Sequence, residues 1–153
     1  MRIGLGFDVH PFGGSDPLVL GGVEIDGPGL QGHSDADAVA HAVADALLGA
    51  AGLADLGTIF PASDDRYQGV SSMGLLEDVV TRVRSAGWKT GNVDVVIAAE
   101  EPRLGPHVAA MGAALAAVVG GPVSVKAKRG EGLGAIGRAE GIAAWAVALL
   151  EPL

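Results

Sequence analysis

Apolar and polar residues alternate along the opening stretch RIGLGFDVH, which predicts a strand over roughly residues 2 to 8. A second strand is expected over 17 to 25, between Asp16-Pro17 and the turn-rich DGPG at 26 to 29, paired with the first as a hairpin or meander. From Ser34 the period becomes helical. Ser34 is a suitable N-cap with Asp37 at the capping-box position, Val39, Val43, Ala46, Leu47 and Ala50 share a face, and the helix should end near Gly52. Residues 53 to 72 hold no steady period and read as a long loop. A helix follows over about 73 to 86, with Leu76, Val79, Val80 and Val83 as its stripe and Gly87 as its stop. Val93, Val95, Val96 and Ile97 make a strand. Pro106 opens a helix carrying Val108, Met111, Leu115 and Val118, which Gly120, Gly121 and Pro122 end. VSVKA at 123 to 127 is another strand, and after a glycine-rich loop Ile142, Trp145 and Leu149 mark a last helix. This alternation predicts an α+β (two-layer α/β) fold, a small sheet with helices packed on one face.

Two stretches carry candidate chemistry. In GFDVHP, Asp8 and His10 sit two apart in the expected strand, so their side chains leave the same face while Val9 points the other way. In HSDADAVAHAVAD, His33, Asp37, His41 and Asp45 recur every four residues, which places them on one helix face. That stripe also fits the solvated side of an amphipathic helix. Asp8, His10 and His41 together would form a two-His, one-carboxylate set with an open coordination position, suited to catalytic zinc or to iron; the spacing does not separate the two metals.

Composition narrows the classes. The 153 residues suit one domain, and with hydrophobic residues at 49% but aromatics at 4% the core must be built from Ala, Val and Leu. Such a thin core stands to gain from oligomerisation. Eighteen acids against ten Lys and Arg give a formal net charge of -8, the opposite of a nucleic-acid-binding footprint. With no cysteine, disulfides and thiolate metal sites are excluded. The N-terminus reaches charged residues too soon for a secretory signal and no apolar run is long enough to span a bilayer, so no membrane partner and a cytoplasmic location are expected.

FDVHPF, HSDAD with its following His, DLGTIFP, NVDVVIAAEEPRLGPH and GLGAIGRAEGIA occur in one order over nearly the whole chain. In these motifs the chain resembles the 2-C-methyl-D-erythritol 2,4-cyclodiphosphate synthase family. The resemblance implies a homotrimer around a threefold axis and a single synthase domain over 1 to 153. It implies cyclisation of 4-diphosphocytidyl-2-C-methyl-D-erythritol 2-phosphate with release of CMP in non-mevalonate isoprenoid biosynthesis. By the same resemblance Asp8, His10 and His41 are ligands of zinc. His33 and Ser34 match the loop that contacts the substrate's methylerythritol phosphate end. Asp55 and Gly57 match positions holding the sugar portions, with Phe60 and Asp64 in the neighbouring stretch. Ala99 to Gly105, including Leu104, match a turn that receives the cytosine ring, with Arg103 near the phosphates. Glu131 matches a carboxylate that holds a second ion, magnesium or manganese, with the diphosphate. Arg138 matches a position near the threefold axis where an isoprenoid diphosphate is held in some relatives.

Three departures stand out. Lys128 and Arg129 occupy the place of the family's Thr-Thr pair, so the expected catalytic set becomes His33, Lys128, Arg129 and Glu131, with the cations replacing hydroxyls at the phosphates or else standing as solvated loop charges. Ala62 replaces an acid and Ala135 an aromatic. The altered KRGE loop keeps open a non-catalytic relative that binds isoprenoid or nucleotide diphosphates as a sensor. The metal set alone admits an iron-dependent oxygenase, against which the low strand count argues. GLGAIG at 132 to 137 fits GxGxxG, but the chain ends before the second βα unit of a dinucleotide fold, so these glycines are read as a helix start that lets backbone approach a neighbour or a phosphate.

Overall fold

The computed structural model describes residues 1–153. Strand β1 spans Arg2–Gly14, longer than the expected 2 to 8, because it pairs from Arg2 to Pro11 with β7, Gly141–Pro152. The short β4 (Gly29–Leu30) flanks β1, and β5 (Trp88–Ala98) and β6 (Val123–Lys128) continue the sheet in the order β4-β1-β7-β5-β6. Only β5 and β6 run parallel; the sheet is mixed. The expected second strand is two three-residue strands, β2 (Leu18–Leu20) and β3 (Val23–Ile25), which pair with each other rather than with β1. Gly21 and Gly22, both at positive φ, make the turn between them.

The last segment corrects the sequence reading. Residues 141 to 152 are the strand β7, not a helix. Ile142, Ala144, Ala146, Ala148 and Leu150 are buried, while Trp145 and Val147 are exposed on the opposite side, a period of two. A central strand that is apolar on both faces and rich in alanine gives a helix-like signal, and pairing with both β1 and β5 decides its conformation.

Helix α1, Ala38–Ala51, lies across β1 and β7 with nearly every side chain buried. It is the core of the molecule rather than an amphipathic surface helix. Its N-cap is Asp37, not Ser34. The Asp37 carboxylate accepts the amides of Val39 and Ala40 and also those of Gly21 and Gly22 at 2.8 Å, so the cap doubles as the tie between α1 and the β2-β3 turn. His33 therefore precedes the helix, and only His41 and Asp45 of the four-residue stripe remain on a common helix face.

The 53 to 72 segment holds a four-residue helix α2, Leu56–Ile59, capped by Asp55, and a single 3₁₀ turn at Asp65–Tyr67. Helices α3, Ser72–Ser85, and α4, Val108–Val119, complete the layer beside α1, with Pro106 in a 3₁₀ turn just before α4. The GxGxxG glycines lead only into α5, Gly134–Gly137. The other side of the sheet is bare. Ile3, Leu5, Phe7, Val9, Trp145 and Val147 are exposed there, with Ile3 at 72% and Leu5 at 67%.

Candidate metal centre

The even positions of β1 face α1. Gly4 and Gly6 give the helix backbone room to approach, and the same alternation turns Asp8 and His10 toward His41 on the first turn of α1. Asp8 Oδ2 lies 2.9 Å from both His10 Nε2 and His41 Nδ1, and the two ring nitrogens are 3.4 Å apart. The expected ligand set is thus assembled. Burial alone would raise the Asp8 carboxyl, but hydrogen bonds and charge from His10 and His41 outweigh it and bring it down to about 2. Burial opposes the charged form of His10, yet its bond and charge partner Asp8, with the Gln31 carbonyl, raise it above the ordinary imidazole value.

The donor set fits a cation. His10 Nδ1 lies 2.8 Å from the carbonyl oxygen of Gln31, which can only accept, so neutral His10 keeps its lone pair on Nε2. On His41, Nε2 contacts the hydroxyls of Ser72 at 2.8 Å and Ser34 at 3.2 Å, leaving Nδ1 toward Asp8. Two lone pairs and a carboxylate oxygen then face one point. The 3.4 Å between ring nitrogens is close to the edge of about 3.3 Å expected for ligands of a tetrahedral zinc ion. The protein supplies three ligands, so a fourth position is left to the adjoining pocket.

That pocket, about 300 Å³, is lined by all three ligands and by His33, Ser34, Gly57 and Phe60. Asp45, Leu56, Ala62, Tyr67 and Leu75 complete it. His33 Nε2 is buried with no hydrogen-bond partner in the protein. Asp45, pushed up by burial despite the Leu56 amide it accepts at 2.7 Å, fixes the start of α2 at the pocket wall. Asp55 and Asp64 lie outside it: Asp55 caps α2 through the Thr58 amide, and Asp64 pairs with Arg66. Both are engaged in the loop's own structure.

A second pocket of about 420 Å³ forms at the ends of the parallel strands β5 and β6. Ala99, Arg103, Leu104, Gly105, Lys128 and Arg129 line it, together with Glu100. Arg129 pairs with Glu100, whose other oxygen accepts the Gly130 amide at 3.0 Å. Glu131 is in neither pocket. It follows β6 in a turn at φ 52, and it belongs to no cluster of ligating side chains. Arg138 pairs with Glu140 at 2.6 Å. Asp8 and Lys128 end up at the same end of the sheet: the registers Asp8 to Ala144, Ala144 to Ile97 and Ile97 to Ala127 put β7 and β5 between them. Three strand spacings amount to about 14 Å.

Sequence reasoning missed Asp35, Ser72 and the carbonyl of Gln31. The Asp in HSDAD at 35 is visible in the sequence, but Ser72 comes from the far end of the irregular loop, and no local pattern links it to His41.

A model of the YgbB family matches residues 1–151. A 2-C-methyl-D-erythritol 2,4-cyclodiphosphate synthase of Bordetella petrii is 54% identical over 97% of this chain and 94% of its own length. A bifunctional IspD/IspF enzyme of an Anaeromyxobacter species is also 54% identical, over 98% of this chain, which spans only 40% of that longer protein. A solved 2C-methyl-D-erythritol-2,4-cyclodiphosphate synthase in its CDP-bound form superposes with a TM-score of 0.89 at 37% identity, covering 98% of this chain and 100% of that one.

Proposed function

The chain belongs to the YgbB family, and on that premise we propose that it cyclises 4-diphosphocytidyl-2-C-methyl-D-erythritol 2-phosphate to 2-C-methyl-D-erythritol 2,4-cyclodiphosphate. The observation that carries the reading is the convergence of Asp8, His10 and His41 on one point beside a pocket. In the reaction an ionised oxygen of the substrate's 2-phosphate bonds to the β-phosphorus of its own diphosphate. The bond from that phosphorus to the oxygen bridging to the α-phosphate breaks, and CMP leaves with the electron pair. The nucleophile is already anionic, so no strong base is needed; alignment and charge stabilisation are the demands on the protein. Zinc at Asp8, His10 and His41 would act as a Lewis acid on phosphate oxygens.

The chain's own residues are assigned as follows. His33 and Ser34 hold the methylerythritol phosphate end, with the buried, unpartnered Nε2 of His33 as a donor. Gly57 and Phe60 shape the pocket wall. Asp55 is kept as a contact to the sugar, and Asp64 as a substrate contact from the neighbouring stretch. Ala99, Leu104 and Gly105 receive the cytosine, and Arg103, Lys128 and Arg129 meet the diphosphate. Glu131 stands alone, so magnesium or manganese there would arrive with the diphosphate rather than in a preformed cage. The names of the relatives do not favour the binding-only alternative.

We further infer a homotrimer, in which three bare sheet faces close around a threefold axis. The support is the apolar row of Ile3, Leu5, Phe7 and Val9 on β1 with Trp145 and Val147 on β7, too large a surface to leave in water. Two strands separate the metal pocket from the cytosine pocket within one protomer, and a neighbour's cytosine pocket completes each site. Arg138 then faces the axis, where an isoprenoid diphosphate could dock, although Glu140 already engages it. Residues 1 to 153 act as one synthase domain in the cytoplasm; no helix is long and apolar enough to cross a membrane.

The test is incubation of the purified protein with the nucleotide substrate, zinc and magnesium, followed by phosphorus NMR. CMP and the cyclic diphosphate are expected. Substrate that is bound yet intact overturns the enzymatic reading in favour of a sensor.

A further inference from the structure

We propose that Ser72, held by Asp35, is a positioning residue for the metal centre: it fixes the His41 proton on Nε2 and thereby leaves Nδ1 free for the cation. The inference rests on the metal reading of Asp8, His10 and His41 and concerns a residue 31 positions further along the chain than the ligand it orients.

The direction of each hydrogen bond follows from the donors present. The Asp35 carboxylate brackets Ser72, accepting its backbone amide at 3.1 Å and its hydroxyl proton. With that proton committed, the Ser72 oxygen can only accept from His41, whose Nε2 lies 2.8 Å away. Ser34 is compatible with this: its oxygen accepts the Ala36 amide at 3.2 Å and lies 3.1 Å from the Ser72 hydroxyl. The imidazole is thus met by an oriented acceptor on one side and Asp8 on the other.

The alternative tautomer is the one that blocks a metal. With the proton on Nδ1, His41 would donate to Asp8 at 2.9 Å and close the ligand set on itself. The Asp35 to Ser72 to His41 chain opposes this, in the manner of outer-shell partners that orient metal-bound imidazoles. Ser72 is 1% exposed, so its hydroxyl is shielded from water. It is not spent on capping α3, because Ser71 provides the cap through the Gly74 amide.

The test compares wild type with Ser72→Ala, Ser72→Thr and Asp35→Asn. Zinc affinity is read by competition with a chromophoric chelator, and the His41 tautomer by nitrogen NMR of the metal-free protein. Ser72→Ala should weaken zinc binding about ten- to a hundredfold and let Nδ1 share the proton, Asp35→Asn should move both readouts in the same direction, and Ser72→Thr should restore both. If wild type binds no zinc, the metal reading itself falls and this inference with it. If wild type binds zinc and Ser72→Ala binds it equally well, or binds weakly with an unchanged tautomer, the positioning role alone is overturned.

Discussion

Gly6 and Ala42 meet backbone to backbone: a Cβ built on Gly6 would stand 1.9 Å from the Ala42 carbonyl oxygen. This contact sets the distance between β1 and α1, and so the distance from Asp8 and His10 to His41. Gly6→Ala should therefore destabilise the fold by roughly 3 kcal/mol or more, since neither partner is a side chain that can swing away. Gly49, exposed near the end of the same helix, supplies the contrast, because a methyl added there would meet nothing within 4 Å. Gly49→Ala should be neutral or stabilising by up to about 1 kcal/mol. Urea unfolding of the two variants measures both; equal stabilities would remove the close approach as a determinant of the fold.

Metal should contribute to stability as well as to chemistry. A cation that binds only the folded chain adds about 2.7 kcal/mol when present at a hundred times its Kd. For a chain of this size that corresponds to roughly 5–10 °C in Tm. Chelation of the purified protein should lower Tm by that order, and zinc should restore it. His41→Ala should show no zinc-dependent rise. A zinc-dependent rise of full size in that variant would place the ion elsewhere.

Much of this site is legible in the sequence. The period of two around Asp8 and His10 survives because β1 is buried on one face only, so its alternation is clean. His41 joins them through its place on the helix, as the four-residue stripe suggests. What fails does so for tertiary reasons. The Asp37 cap depends on Gly21 and Gly22, and the strand nature of 141 to 152 depends on pairing with β1 and β5. Ser72 reaches His41 only because α3 begins where the 53 to 72 loop returns to α1, a closure no local period encodes.

The bare sheet face makes the proposed homotrimer testable by charge. Leu5, 67% exposed, points away from α1 into the row formed with Phe7 and Val147. Leu5→Glu should convert a trimer to monomers at micromolar concentration, because three carboxylates would be buried together without partners. Sedimentation velocity reads the outcome. A variant that stays trimeric would move the interface off this face.

The pairing of Arg129 with Glu100 yields a pH-dependent prediction. Burial works to raise the Glu100 carboxyl, but the Arg129 hydrogen bond and charge, with the Gly130 and Gly132 amides, win and hold it below the usual 4.5. A lowered folded value means the ionised form favours folding: that contribution is complete above 4.5 and fades as pH falls through the lowered value. Arg129→Ala should raise the Glu100 titration toward 4.5, shrinking that contribution and narrowing the pH window over which it is lost. If this pocket receives the nucleotide as proposed, its diphosphate would compete with Glu100 for the same guanidinium, so CDP should raise Glu100 in the wild type and do so far less in Arg129→Ala. Carboxyl carbon NMR follows both titrations. If CDP binds and leaves Glu100 unmoved, Arg129 stays with Glu100 throughout, and the diphosphate role passes to Lys128 and Arg103.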